Sequence, residues 1–368
     1  MRKMKIAKPK NQNGGASLLN WHFSICPMYF VLAFFLLPFL STLCARSASA
    51  QNLQQVIEGA KKEGQVRVYW SMRKETTKAI TDAFRGKYPF IGKVEHTRFS
   101  GLEESERVLA ELRAGRIEMD VLLVRSEVWD RHKPFLAPPA DWKALGVQAD
   151  RIKKGGLETI WAGGSIAGIA YNAKLVPPEK APAKWEDCTD PAWKGRFIVN
   201  TRPIFMMHLM PAWGEEKVVA FARRIAANQP VWEKDQTVAM EKVALGEAPL
   251  YCGGDHFRWA EVEKKGTGGA VKLATPEPVP ASEGRGISLV KGAKYPNAGK
   301  LFMAFMASDE AQTLIDKMEQ RGHRSVPGTM AYQLTKGKKV SEFTEEWDLR
   351  SKDLSKKIVE AWGFPVAK

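Results

Sequence analysis

"IWAGGSIAGIAYNAKLV" runs from Ile160 to Val176, and its GGSIAG centre admits three readings. A serine among glycines suggests a nucleophile elbow, a glycine cluster suggests a phosphate cradle, and a run of small residues suggests a tightly packed strand. The elbow requires G-x-S-x-G, but Ala167 stands where the second glycine belongs. The phosphate loop requires G-x-x-x-x-G-K-S/T, but Ile169 follows Gly168 in place of lysine. Neither chemistry has its residues. The stretch therefore reads as a strand over Ala167–Tyr171, broken downstream by Pro177, Pro178 and Pro182, and the fold depends on what lies on either side of it.

Upstream, VRVYW (Val66–Trp70) is a β-rich apolar run, followed by a stretch that brings Ala79, Ile80, Ala83 and Phe84 to one helical face. Ser71 is the N-cap candidate for that helix, and Gly86 and Pro89 stop it. A second strand, KVEHTRF, leads to Ser100, which with Glu103 spells an S-x-x-E capping box. The helix so opened buries Val108, Leu109 and Leu112, ends near Gly115, and gives way to MDVLLV (Met119–Val124). Strand and helix alternate over short connections, which predicts a parallel sheet with right-handed crossovers.

Downstream of the opening strand a second alternating block follows. Strands are predicted at FIV from Phe197, at PVWE, at APLY and at VKLA; helices from Phe205, over Glu215–Ala227, over Thr237–Leu245 and from Phe257 to Lys264. A short strand at Gly286–Val290 then precedes amphipathic helices at Pro296–Met306 and Asp309–Gln320, the latter with Ser308 as cap and an acidic first turn. A polar helix near Glu345–Trp362 closes the chain. Two α/β blocks around a strand of small residues predict two lobes with a cleft between them.

The N-terminus reads as an export signal. Lys3, Lys5, Lys8 and Lys10 lead into an apolar run from Met28 to Ala45, and Ala48-Ser49-Ala50 supplies the small-residue end, with cleavage expected after Ala50. Pro38 and that ending weigh against an uncleaved membrane anchor. The chain has 368 residues with 56 basic against 41 acidic side chains; residues 1–50 hold six basic and no acidic ones, so 50 − 41 = +9 remains on Gln51–Lys368. That excess suits nucleic acid, a membrane surface or an anionic ligand. No helix-turn-helix, zinc-finger or RNP pattern occurs, so nucleic acid is not an expected partner. Cys188 and Cys252 stay after cleavage. A disulfide is open to them in an oxidising compartment, but the favoured reading is two separate buried thiols.

"GIAYNAKLVPP", "WEDCTDPAWKGRF", "LGEAPL" and "GISLVKGAKYPNAGKLFMAFMASDEAQ" resemble the extracellular solute-binding proteins of ABC importers, within the type II group that includes ferric-iron, thiamine and 2-aminoethylphosphonate binders. The resemblance covers nearly all of Gln51–Gly328. It implies a two-lobed α/β fold of the type II periplasmic class, each lobe a mainly parallel sheet flanked by helices, joined by crossing strands at Ala167–Tyr171 and Gly286–Val290. Lobe 1 would be 51–164 plus 286–368, and lobe 2 would be 165–285. It also implies a periplasmic monomer that closes on a small-molecule or chelated-ion ligand and delivers it to an ABC permease served by a cytoplasmic ATPase. No cofactor is expected.

Ligands of open parallel sheets sit beyond the carboxyl ends of the strands, where helix N-termini point. That places Ser71, Met72 and Arg73, then Arg98, Ser100 and Gly101, then Arg125 and Ser126 on the first lobe's lining. Asn200, Thr201 and Arg202, Gln236 and Thr237, and Asp255 and His256 line the second. Hydroxyls, helix-start amides and guanidinium forks favour an anion. Ferric-binding members present adjacent tyrosines near the last helix of the second lobe; here YCGGDHFRW (Tyr251–Trp259) has His256-Phe257 in that place. Direct tyrosinate capture of iron is therefore not expected, and no metal-ligand spacing joins Asp255, His256 and His96. A phosphonate, a carboxylate or a ferric chelate fits the arginines better. Two other classes share parts of this pattern: a sensor that presents its ligand to a membrane receptor, and an exported enzyme, for which no catalytic signature is present.

Overall fold

The computed structural model describes residues 52–99, 101–124, 128–153, 159–162, 164–266, 269–282 and 285–364. The expected export signal lies outside them. A helix that the strand-first reading passed over opens the described chain: α1 (Leu53–Glu63). Its cap is reciprocal, with Asn52 Oδ1 accepting the Gln55 N–H at 2.9 Å and Gln55 Oε1 accepting the Asn52 N–H at 3.1 Å. Gly64, at φ 66°, then turns the chain into the first strand.

The first sheet contains β1 (Gln65–Trp70), β2 (Lys93–Arg98), β3 (Val121–Val124), β4 (Ile152–Lys153), β5 (Thr159–Ala162) and β12 (Arg285–Leu289). Their spatial order is β2–β1–β3–β12–β5–β4. The first three are parallel and the rest join antiparallel. Central β3 is buried at all four positions, whereas β1 buries alternate residues, Val66, Val68 and Trp70. Helices α2 (Lys74–Lys87), α3 (Leu102–Arg113), α9 (Pro296–Met306) and α10 (Asp309–Glu319) lay Ile80, Phe84, Val108, Phe302, Phe305 and Ile315 into this core. As expected, Ser308 caps α10, accepting the Ala311 N–H.

The second sheet contains β6 (Ser165–Asn172), β7 (Ile198–Asn200), β8 (Val231–Glu233), β9 (Leu250–Asp255), β10 (Val271–Ala274), β11 (Val279–Ser282) and β13 (Val340–Phe343). The order is β13–β11–β6–β9–β7–β8, with β10 also paired to β6. One face packs against α5 (Ile204–Trp213), α6 (Glu215–Ala227) and α13 (Ser351–Ala361), the other against α7 (Gln236–Leu245) and α8 (His256–Lys264); α4 (Trp129–His132) and α12 (Glu345–Leu349) are two further short helices. The opening stretch is thus a strand, and Gly168 has a packing reason. A Cβ there would sit 2.4 Å from the Ala274 carbonyl oxygen, at the point where the β6–β9 register shifts.

Three departures from expectation matter for the site. First, the chain passes between the sheets three times rather than twice: from β5 to β6, from β11 to β12, and from α10 through residues 320–329 and α11 (Met330–Thr335) to β13. Second, the C-terminal stretch assigned to the first lobe packs with the second. β13 extends β11 in parallel, and Phe343, Leu354, Ile358 and Trp362 complete the second core. Third, Cys188 and Cys252 are not separate thiols: they form a disulfide, Cα–Cα 6.3 Å, tying the turn at Trp185–Thr189 to β9. Both cysteines lie fully buried side by side in one core, and the chain folds back over a sequence separation of 64 to make that contact.

Candidate functional site

The strand-end loops of the first sheet diverge in role. Ser71 does not cap α2; Arg73 takes the N-cap position with no side-chain cap bond, because the helix starts two residues later than expected. Met72 turns inward and is buried in the first core. Arg73 instead reaches outward: its N–H donates to Glu319 Oε1 at 3.2 Å, and its guanidinium lies 3.7 Å from Glu319 and 3.4 Å from Glu261 on α8. This ion pair joins a loop of the first sheet to a helix of the second. Arg98 ends β2 exposed, and Gly101, at φ 96°, is the N-cap of α3. Ser100, Arg125 and Ser126 lie outside the described residues.

The loops of the second sheet are bound to one another. Asn200 is buried; its Nδ2 donates to the Lys234 carbonyl at 3.1 Å and its Oδ1 accepts the Arg202 N–H at 2.8 Å, which fixes the turn that leaves Arg202 exposed. Thr201 N–H donates to the Glu233 carbonyl at 3.0 Å. Asp235 caps α7 through the Thr237 and Val238 N–H groups, so Thr237 and Gln236 open a helix as expected. Gln236 Oε1 accepts the Asp255 N–H at 3.2 Å, pinning the end of β9 to the start of α7. Asp255 sits at the N-cap of α8, yet its carboxylate caps nothing. Burial raises its pKa, opposed by Gln236 and by the Arg321 and Arg258 charges.

His256 takes a different place from its neighbour. It is fully buried, with Nδ1 accepting the Ile166 N–H at 3.0 Å, and burial lowers its pKa to about 4. The ring locks α8 against β6 as a neutral imidazole.

Sequence reasoning missed several residues here because it looked only at strand-to-helix loops. Ser165 and Ser282, on the neighbouring strands β6 and β11, share a hydrogen bond of 3.0 Å between hydroxyls. Phe257 carries two guanidinium groups, Arg321 at 4.7 Å and Arg258 at 5.1 Å from the ring centroid. Arg258 is paired to Glu261 at 2.7 Å. Arg321 follows α10 on the third passage, where its carbonyl accepts the Gly164 N–H at 3.3 Å, next to the first passage. A cavity of about 550 Å³, lined by Asp130 after β3 and by Ile204, Met207, His208, Phe343 and Lys352, shares none of these residues. The arrangement offers forked cations, hydroxyls and a carboxylate at one seam. Such groups are of the kind that hold a charged solute.

A family model for bacterial extracellular solute-binding proteins matches residues 79–339. The "Iron uptake protein A1" of Synechocystis sp. is 28% identical over 166 residues, 40% of this chain and 44% of that protein. An uncharacterized protein of Haemophilus influenzae is 28% identical over 158 residues, 40% of this chain and 45% of its own. The chain spans less than half the length of these curated relatives. Solved structures share the fold over most of the chain. FutA (IdiA) of Trichodesmium, in complex with iron and citrate, superposes with TM-score 0.67 at 18% identity, covering 81% of this chain and 99% of its own. Iron-bound HitA of Pseudomonas aeruginosa gives 0.62 at 18%, with the same coverage. The periplasmic binding protein AfuA of Actinobacillus pleuropneumoniae, with fructose 6-phosphate bound, gives 0.59 at 20%, covering 82% and 99%.

Proposed function

Because the chain belongs to the bacterial extracellular solute-binding proteins, we propose that it captures a small oxyanion-bearing solute, free or as a ferric chelate, in a cleft between its two sheets. Closure about the three passages would trap the solute, and the closed form would deliver it to a membrane permease in the periplasm after the leader is removed. The family is one of solute binding rather than catalysis, and we read this chain the same way.

The observation that carries the proposal is the meeting of cationic loops from both sheets at one seam, where Arg73 of one half lies 3.4 Å from Glu261 of the other beside Asp255, Arg258 and Arg321. Two of the solved relatives are described with oxyanion-bearing ligands, citrate and fructose 6-phosphate. Capture of bare ferric iron by tyrosinate is not supported. Tyr251 is fully buried, packed in the core with Met240 and Val243.

A thermal-shift screen over phosphate esters, phosphonates, carboxylates, thiamine and ferric citrate tests this. A binder at a hundred times its Kd should add about 2.7 kcal/mol to stability. Arg202→Ala should then weaken that binder by about tenfold or more while the unliganded melting temperature stays put. A variant that melts early and binds normally would assign Arg202 to structure.

A further inference from the structure

Most charges at the seam are already spoken for. Arg73 pairs with Glu261 and Glu319, and Arg258 pairs with Glu261. Arg321 is the exception. Among the described residues its guanidinium makes no ion pair and no hydrogen bond, and its Nε is buried without a partner. Its one close companion is the Phe257 ring, which attracts the cation but takes none of its N–H donors. Glu319, Asp255 and Glu261 are near enough to act on its charge but do not touch it. Its Nε–H is thus a donor taken from water with no acceptor, a cost that a bound oxyanion would offset. Its planar fork matches the two oxygens of a carboxylate or phosphate.

Asp255 carries the opposite sign, and the side chains of Gln236 and Ser165 and the charges of Arg321 and Arg258 all favour its carboxylate form. It stands at the N-cap of α8, where a carboxylate ordinarily accepts helix N–H groups, and accepts none. It lies within the field of Arg321 but forms no ion pair with it, although both are partly withdrawn from water. Ser165, bonded to Ser282, stands beside it. Two opposite charges that act on each other without pairing are two ends that one solute could bridge. A bare anion would satisfy Arg321 and be repelled by Asp255. A solute with an oxyanion at one end and a hydrogen-bond donor at the other satisfies both.

We propose that Arg321 and Asp255 are the specificity-determining pair of the cleft, Arg321 taking the phosphate, phosphonate or carboxylate of the solute and Asp255 taking a hydroxyl or ammonium on the same molecule. This rests on the solute-capture reading above and narrows it to bifunctional anions. Neither residue needs a metal or a cofactor for this.

Titration calorimetry with fructose 6-phosphate, 2-aminoethylphosphonate, inorganic phosphate and fructose tests the pair, the first two probes separating a hydroxyl from an ammonium donor. At least one bifunctional anion should bind about tenfold tighter than inorganic phosphate, and fructose should not bind. Arg321→Gln should weaken both the bifunctional anion and phosphate by about tenfold or more. Asp255→Asn should weaken the bifunctional anion alone and leave phosphate equal or tighter. If Arg321→Gln fails to fold, Arg321→Lys decides, since it keeps the charge and loses the fork; it too should bind about tenfold weaker. Should every titrant bind Arg321→Gln as it binds the wild type, solute capture stands and this assignment falls. Should none of the four bind the wild type, this assignment falls, while solute capture falls only if the thermal-shift screen above also finds no binder.

Discussion

Gly168 illustrates how far a single residue can be read. Its neighbours excluded an elbow and a phosphate loop, but only the packing gives its reason for being glycine: β10 passes so close that a Cβ would meet a backbone carbonyl at 2.4 Å. Backbone on both sides cannot easily give way, so Gly168→Ala should cost about 1–3 kcal/mol, read as a lowered urea midpoint; an unchanged midpoint would refute the contact. The buried histidines make a second residue-scale prediction. His208 and His256 are each held near pKa 4 by burial, against an ordinary 6.5. Between those values the unfolded chain binds more protons than the folded one, so stability is full above about pH 6.5 and falls as pH drops toward 4. The slope should be about 1.4 kcal/mol per pH unit per histidine. Urea melts at pH 7.5, 5.5 and 4.5 check this, and a flat profile would contradict it. Arg321 was not legible at this scale: nothing in "EQRG" (Glu319–Gly322) distinguishes it from a solvated helix-end charge until the fold sets it on Phe257.

Among elements, those with strong periodicity were legible and those defined by their partners were not. The strands at Val66–Trp70 and Met119–Val124 and the helices at Pro296–Met306 and Asp309–Gln320 correspond closely to β1, β3, α9 and α10, because a buried face writes its period into the sequence. β11 and β13 are four residues each with mixed composition, and only their pairing with β6 and with each other makes them strands. The same holds for the C-terminal helix. The resemblance assigns it to the first lobe, but Leu354 and Ile358, with Val359 and Trp362, set it in the second core. The disulfide is the clearest tertiary fact that spacing could not supply. Closing 64 residues should be worth about 4 kcal/mol on the chain-entropy account, so Cys188→Ser with Cys252→Ser should unfold at markedly lower guanidinium. Reductant should do the same to the wild type and leave the double variant unmoved.

At the scale of the whole molecule, two sheets with separate cores are joined by three passages and, among the described residues, by the Arg73–Glu261 ion pair. Two lobes were legible from the alternation of strand and helix; the third passage was not, because residues 320–329 have no regular element to announce them. Arg73 is half-exposed, so Arg73→Ala should cost less than about 1 kcal/mol of stability. It should nonetheless shift the average separation of the halves, because the pair spans them. The most direct test of capture by closure is small-angle scattering of the protein, with and without a saturating amount of the compound that most raises its melting temperature. A radius of gyration that falls on saturation is the predicted result. A saturable binder that leaves the scattering profile unchanged would contradict the account.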